Sequence, residues 1–227
     1  RRYWLGSFAS VGAIQISVLV QGWLIIDELG GSPLWLGYLG AATSIPTIIV
    51  AIFGGVLADK FNKRTLMFII SSFMALSLIL LALLVSTGNI KLWHVLLIAA
   101  LQGLFGGLDG PLRSSFFPLL ISRNHMMSAV ALSSAMWQLG RILAPALGGW
   151  VIVSAGIGGA FLVASLGWIL MILFLITIKV EIKSKQDNFR FFDQLIEGFK
   201  YINKNNEIFM IIIMTYCTHF FGFQLLQ

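Results

Sequence analysis

The sequence predicts an all-α membrane protein with six complete spans and the start of a seventh. Three observations carry this. Hydrophobic residues make up 58% of the chain and charged residues 11%, against about 25% charged in a soluble domain. Continuous apolar runs of about 20 residues, the length that crosses a bilayer as a helix, recur along the whole chain, where a transmembrane barrel would show short alternating segments. Lys and Arg gather in alternate connections.

The runs lie at about 4–27, 33–58, 66–87, 92–118, 128–154 and 157–179, with a seventh from about 207. Arg1 and Arg2 precede the first; Lys60, Lys63 and Arg64 follow the second; Arg113 and Arg123 follow the fourth. Lys183, Lys185, Arg190, Lys200 and Lys204 follow the sixth, while the remaining connections hold only Lys91. Cations collect on the cytoplasmic side, so the N-terminus is expected there. Trp4, Trp35, Trp93 and Trp150 fall where interfacial aromatic belts form. The net charge of +6 is explained by this bias and calls for no nucleic acid.

Residues 181–206 differ. Phe192, Leu195, Ile196, Phe199 and Ile202 recur at helical spacing with Asp193, Glu197, Lys200 and Lys204 between them. That pattern predicts an amphipathic linker helix on the inner membrane surface; a calmodulin-type target would need a more basic face. The expected organisation is a six-span bundle at 1–180, a cytoplasmic linker helix at 181–206, and the first span of a second bundle at 207–227. The chain begins at Arg1 and ends inside an apolar run, and so reads as part of a longer protein. The first run is too long for a signal peptide and no cleavage site follows it.

Catalytic chemistry finds no foothold. Cys217 is the only cysteine, His94, His125 and His219 lie far apart, and no metal-ligand spacing, Ser/His/Asp set or phosphate-binding Gly-Lys-Ser/Thr loop is present. No enzyme, metal or cofactor is implied.

The connection at 54–64, Gly-Gly-Val-Leu-Ala-Asp-Lys-Phe-Asn-Lys-Arg, is more specific than positive charge requires. Gly55, Asp59, Lys63 and Arg64 within it resemble motif A of the major facilitator superfamily, between spans 2 and 3. Asn62 stands where that motif has a second Gly, and is a residue that tolerates left-handed turns. Gln138–Gly149 resembles motif C of the superfamily's exporters: Pro145, Gly148 and Gly149 are retained and Ala144 replaces a Gly. Gly140, Ala144 and Gly148 form a small-residue stripe suited to close helix packing. The arginine of motif B is absent, with Ala99 in its place, which weighs against proton antiport. Gly31-Ser32-Pro33, Pro111-Leu112-Arg113 and Arg141 four residues before Pro145 resemble the branch of enterobactin-exporter-like and macrolide-efflux-like proteins. The resemblance implies the N-terminal half of a secondary transporter. It would move a small, partly apolar molecule across the inner (plasma) membrane, driven by an ion gradient, with the proton as the expected coupling ion and a C-terminal half as partner. Importer, lipid flippase, and non-transporting scaffold or receptor stand as alternatives.

Charges inside a bilayer are costly unless paired or hydrated, so each is a candidate site. Arg141 lies about 20 Å into span 5, with Gln138 on its face; both, with Gln15 of span 1, are candidates to contact substrate or couple to a titrating acid. A structural ion pair is the alternative. Asp109 and Arg113 are four apart on span 4 and share a face. With Asp59 and Lys63 they make a candidate inner gate; a proton site at Asp109 is the alternative.

Overall fold

A computed structural model of the chain describes the backbone of residues 2–122, 125–177 and 205–217, and their side chains except at 2, 55–60, 119, 206, 212, 216 and 217. Two compact units, Arg1–Ser184 and Lys185–Gln227, are separate. In the first, α1 (Arg2–Trp23) runs into a π-helical turn (Leu24–Glu28). Then come α2 (Leu34–Lys60), α3 (Lys63–Ser86), α4 (Leu92–Phe116) with a 3-10 turn (Phe117–Leu120), and the helical stretch Met126–Thr177. In the second, α7 covers Asn206–Cys217. The expected linker helix lies, over 181–204, outside the described residues.

Met126–Thr177 is 52 residues long, about 78 Å of helix and far more than one bilayer crossing. It breaks at Gly156, whose φ of 75° and ψ of 176° suit a residue without Cβ. The two halves are α5 (126–155) and α6 (157–177). Their directions follow from their neighbours on α1. Gly140 faces Val11 and Gly148 faces Ile16 and Leu19, whereas Gly167 faces Ala9 and Ala13 and Gly6 faces Met171. So α5 runs with α1 and α6 runs against it. Counting both halves, six helices of the first unit are long and apolar enough to cross a membrane.

The helix ends are set by local chemistry. The α3 C-terminus closes with a Schellman turn: Gly88, at φ 68°, donates to the Val85 carbonyl and Asn89 to that of Leu84. At its N-terminus, Asn62 makes no use of its tolerance for left-handed turns. Its φ is −62° and ψ 111°, and its side chain accepts from the Arg64 and Thr65 amides at 3.0 and 3.4 Å. It is an N-cap, which explains how Asn can stand where the motif has Gly. Arg64 then reaches the last turn of α6, donating to the carbonyls of Leu175 and Ile176 at 3.0 and 2.9 Å. A cation there satisfies carbonyls that the helix end leaves open.

Close approaches are made by small residues. A Cβ on Gly103 would fall onto the backbone carbonyl of Thr43, and one on Gly107 would lie 2.6 Å from that of Thr47. These two glycines let α4 lie directly on α2, with Gly54 against Pro111 further along. The core is closed by Trp168, Phe161 and Phe116, all buried, and by Phe73 stacked on Phe105 at 4.0 Å across α3 and α4.

Gly103→Ala is expected to cost about 1–3 kcal/mol, because backbone rather than a flexible side chain stands in the way. Gly149→Ala, with nothing within 4 Å of the added Cβ, should leave stability within about 0.5 kcal/mol. Thermal unfolding of both variants in detergent checks the pair.

Candidate functional site

The first turns of α1 and the last turns of α4 meet at one end of the bundle, where Tyr3 lies 5.5 Å from Phe116 and Trp4 5.3 Å from Phe117, ring to ring. Between them sits Arg113. Its Nε donates to Asp109 Oδ2 at 2.6 Å, one Nη to Ser7 Oγ at 2.7 Å and the other to Ser10 Oγ at 3.0 Å. Ser10 in turn donates to the Ser7 carbonyl. The guanidinium carbon lies 6.0 Å from the Trp168 ring centroid, within reach of a cation–π attraction. Both charged side chains are 11% exposed. The arrangement gives a buried cation a carboxylate, two hydroxyls and an aromatic face, which is what burial demands.

Asp109 also borders an open cavity of about 680 Å³ lined mainly by α1, α2, α3 and α4. Trp137 and Trp168 form part of its wall, with Leu36, Leu39, Met74 and Leu78. A polar chain borders it. The Gln21 amide nitrogen donates to Ser17 Oγ at 2.7 Å and to Gln102 Oε1 at 3.0 Å; Gln102 donates to Ser77 Oγ at 2.8 Å; Ser77 donates to the Met74 carbonyl at 2.9 Å. On α2, Thr43 donates to the Leu39 carbonyl, and Thr47 to those of Thr43 and Gly103.

Of the residues singled out in the sequence, Asp109 and Arg113 come together, and Arg64 joins α3 to α6. Lys63 is half-buried at the start of α3. The side chains of Gly55's neighbours through Asp59 lie outside the described residues, as does any reach from Arg113 to Asp59. Gly140, Ala144 and Gly148 are buried on α5, with Pro145 and Gly149 half-buried beside them. Gln138 and Arg141 stand exposed on α5 and Gln15 is half-buried on α1; the cavity wall is made by other residues. Sequence reading passed over Ser7, Ser10, Ser17, Ser77, Thr43 and Thr47. A signal existed: Ser7, Ser10, Ser17 and Gln21 all lie on one helical stripe of α1, and all are buried.

Comparison with known proteins places the chain. A family profile described as transmembrane secretion effector matches residues 1–224. The chain belongs to this family of major facilitator transporters. It is similar to the uncharacterised MFS-type transporter YfiS of Bacillus subtilis, 31% identical over 59% of this chain and 31% of the relative. It is also similar to the staphyloferrin A transporter of Staphylococcus aureus, 24% identical over 87% of this chain and 51% of the relative. With the enterobactin exporter EntS of Shigella boydii the identity is 23% over 86% and 46%. The chain thus spans about half the length, or less, of these relatives. Family and apolar helices together make it a multi-pass membrane protein.

Removing one partner of a buried pair leaves the other charge uncompensated. Arg113→Ala is therefore expected to lower stability by about 3–5 kcal/mol, and Ser10→Ala by roughly 1.5–3 kcal/mol, the range for a hydrogen bond to a charged group. Denaturation followed by tryptophan fluorescence ranks them; an Arg113→Ala protein as stable as the parent would contradict the assignment.

Proposed function

We propose that the chain is the N-terminal half of an ion-gradient-driven secondary transporter of the bacterial inner membrane, exporting a small, partly apolar molecule by alternating access. The single observation that carries this is the open 680 Å³ cavity with polar groups on its wall, lined by membrane-spanning helices. A bilayer-embedded scaffold gains nothing from such a hollow, and family membership supports transport. The names of two relatives, a staphyloferrin A transporter and an enterobactin exporter, favour a siderophore-like or drug-like cargo and efflux.

In this reading residues 1–180 form one bundle and 181–206 the link to a second, of which 207–227 is the first span. The N-terminus faces the cytoplasm. In support, the ends of α2, α4 and α6 and the starts of α1 and α3, which carry the cations, converge through the contacts of Tyr3, Gly54, Arg64 and Arg113. The motif A residues Gly55, Asp59, Lys63 and Arg64, with Asp109 and Arg113, act as the inner gate. Arg141 and Gln138 serve substrate or coupling from the exposed face of α5. A cation exposed there is costly against lipid tails, so that face suits a polar path shared with the second half. The proton is the proposed coupling ion.

Two measurements test the reading. In the full-length protein, a cysteine placed at Asn62 should resist membrane-impermeant reagents added outside, and one at Gly30 should react; the reverse pattern would overturn the orientation. Efflux from vesicles should stop when the ion gradient is collapsed, and flux indifferent to every ion gradient would refute secondary transport.

Arg141 gives a sharper test. Arg141→Ala is expected to abolish flux while melting temperature and membrane content stay near the parent's. Arg141→Lys should also lose flux, since an ammonium cannot reproduce the planar fork of donors. Parallel loss of stability and flux would assign Arg141 to structure instead.

A further inference from the structure

The direction of the polar chain bordering the cavity is fixed at one end. The Met74 carbonyl can only accept, so the Ser77 hydroxyl spends its hydrogen there. The lone pairs of Ser77 then take the Gln102 NH2 group, which turns the Gln102 oxygen toward Gln21. Gln21 meets it with its own NH2 and gives its other hydrogen to Ser17. Both Gln21 donors are consumed, and only its oxygen remains. Gln21 is 5% exposed, yet no buried side-chain nitrogen or oxygen among the described residues lacks a partner. Its oxygen therefore opens onto the cavity.

The same bias holds around the wall. Thr43 and Thr47 give their hydrogens to backbone carbonyls, leaving lone pairs. Asp109 offers its second carboxylate oxygen, while the guanidinium that neutralises it directs three of its five N–H donors to Asp109 and to Ser7 and Ser10 of α1. The ion pair thus turns its negative end to the cavity. Against these acceptors stands the second N–H of Gln102, and the hydroxyls of Ser17 and Ser44 can serve either way.

We propose that this cavity selects its ligand by the hydrogens the ligand donates. It would take a largely apolar molecule bearing hydroxyl or amide N–H groups, held by Gln21, Thr43, Thr47 and Asp109, and would reject acceptor-only and anionic groups. This rests on reading the cavity as the ligand site and deepens it by naming the ligand class. An acceptor buried without a donor costs its full desolvation, so masking a ligand's donor should be felt strongly.

The test uses 2-naphthol, its methyl ether and 2-naphthoate, three ligands of one apolar body, titrated into the intact protein in detergent. Trp137 and Trp168 in the wall report binding by fluorescence quenching. Naphthol is expected to bind roughly tenfold or more tightly than the ether or the carboxylate. Gln21→Leu should bring the naphthol-to-ether ratio toward one while ether binding persists. Micelle partitioning is common to both proteins, so the change in ratio reports the site. Should Gln21→Leu fail to fold, Thr47→Val removes another acceptor and carries the same expectation. Equal naphthol and ether affinities in the parent protein, or a ratio unmoved in a folded variant, overturn the proposal. Either result leaves transport itself standing, because flux is measured separately; donor selectivity without flux would sink the transport reading and not this one.

Discussion

Placing Arg113 inside a membrane protein is the constraint from which much of the bundle follows. A guanidinium cannot be neutralised by losing its proton, so it must be surrounded by acceptors. One acceptor comes from its own helix, Asp109 one turn back. The others must come from a neighbour, and α1 supplies them as Ser7 and Ser10. Those hydroxyls fix both the rotation of α1 and its height against α4. The aromatic pairs Tyr3–Phe116 and Trp4–Phe117 then close that end against water.

A second constraint acts further along the same helices. No water satisfies polar groups in the hydrocarbon region, so Gln21 and Gln102 must find each other and their serines. With α1 and α4 tied by these amides, the glycines of α4 determine what else approaches. Gly103 and Gly107 admit the α2 backbone so closely that the Thr47 hydroxyl reaches the Gly103 carbonyl at 3.0 Å. The cavity is the space left between the amide chain and this contact. Its polar wall is thus made of residues that first serve helix association, and what faces the cavity is the valence they have left.

The fold was largely legible because span length and charge alternation are one-dimensional signals. The α1–α6 limits fall within a few residues of the apolar runs, and even the Gly156 break sits in a connection without charges. The site was legible only where it was charged. Asp109 and Arg113 are visible at any reading, since burying either is expensive. Ser7, Ser10, Thr43 and Thr47 carry no such mark, because a hydroxyl in a membrane helix can always donate to the carbonyl one turn back. Which of them face a neighbour depends on helix rotation, and rotation is set by Arg113 and the glycines together. Asn62 shows the opposite limit. Motif position points to a residue that tolerates left-handed turns, whereas the start of α3 needs an acceptor for its first amides and Asn supplies it at ordinary φ.

Pinning α1 to α4 at two heights has a mechanical consequence. Ser10 and Gln21 are eleven residues apart, about 16 Å along the helix. The two ties, one ionic and one through amides, therefore hold α1 and α4 together over much of a bilayer leaflet and beyond. Opening a path between these helices would break both ties and strand a buried cation. The remaining freedom lies at faces without such ties. The described side chains of α2 are almost all outside the core, and α5 exposes Leu139, Ile142, Leu143 and Leu147. A bundle locked internally, with these apolar residues exposed beside Gln138 and Arg141, is suited to move as one body against whatever covers them. Rocking of rigid bundles around a fixed site is how alternating access works in nested-repeat transporters.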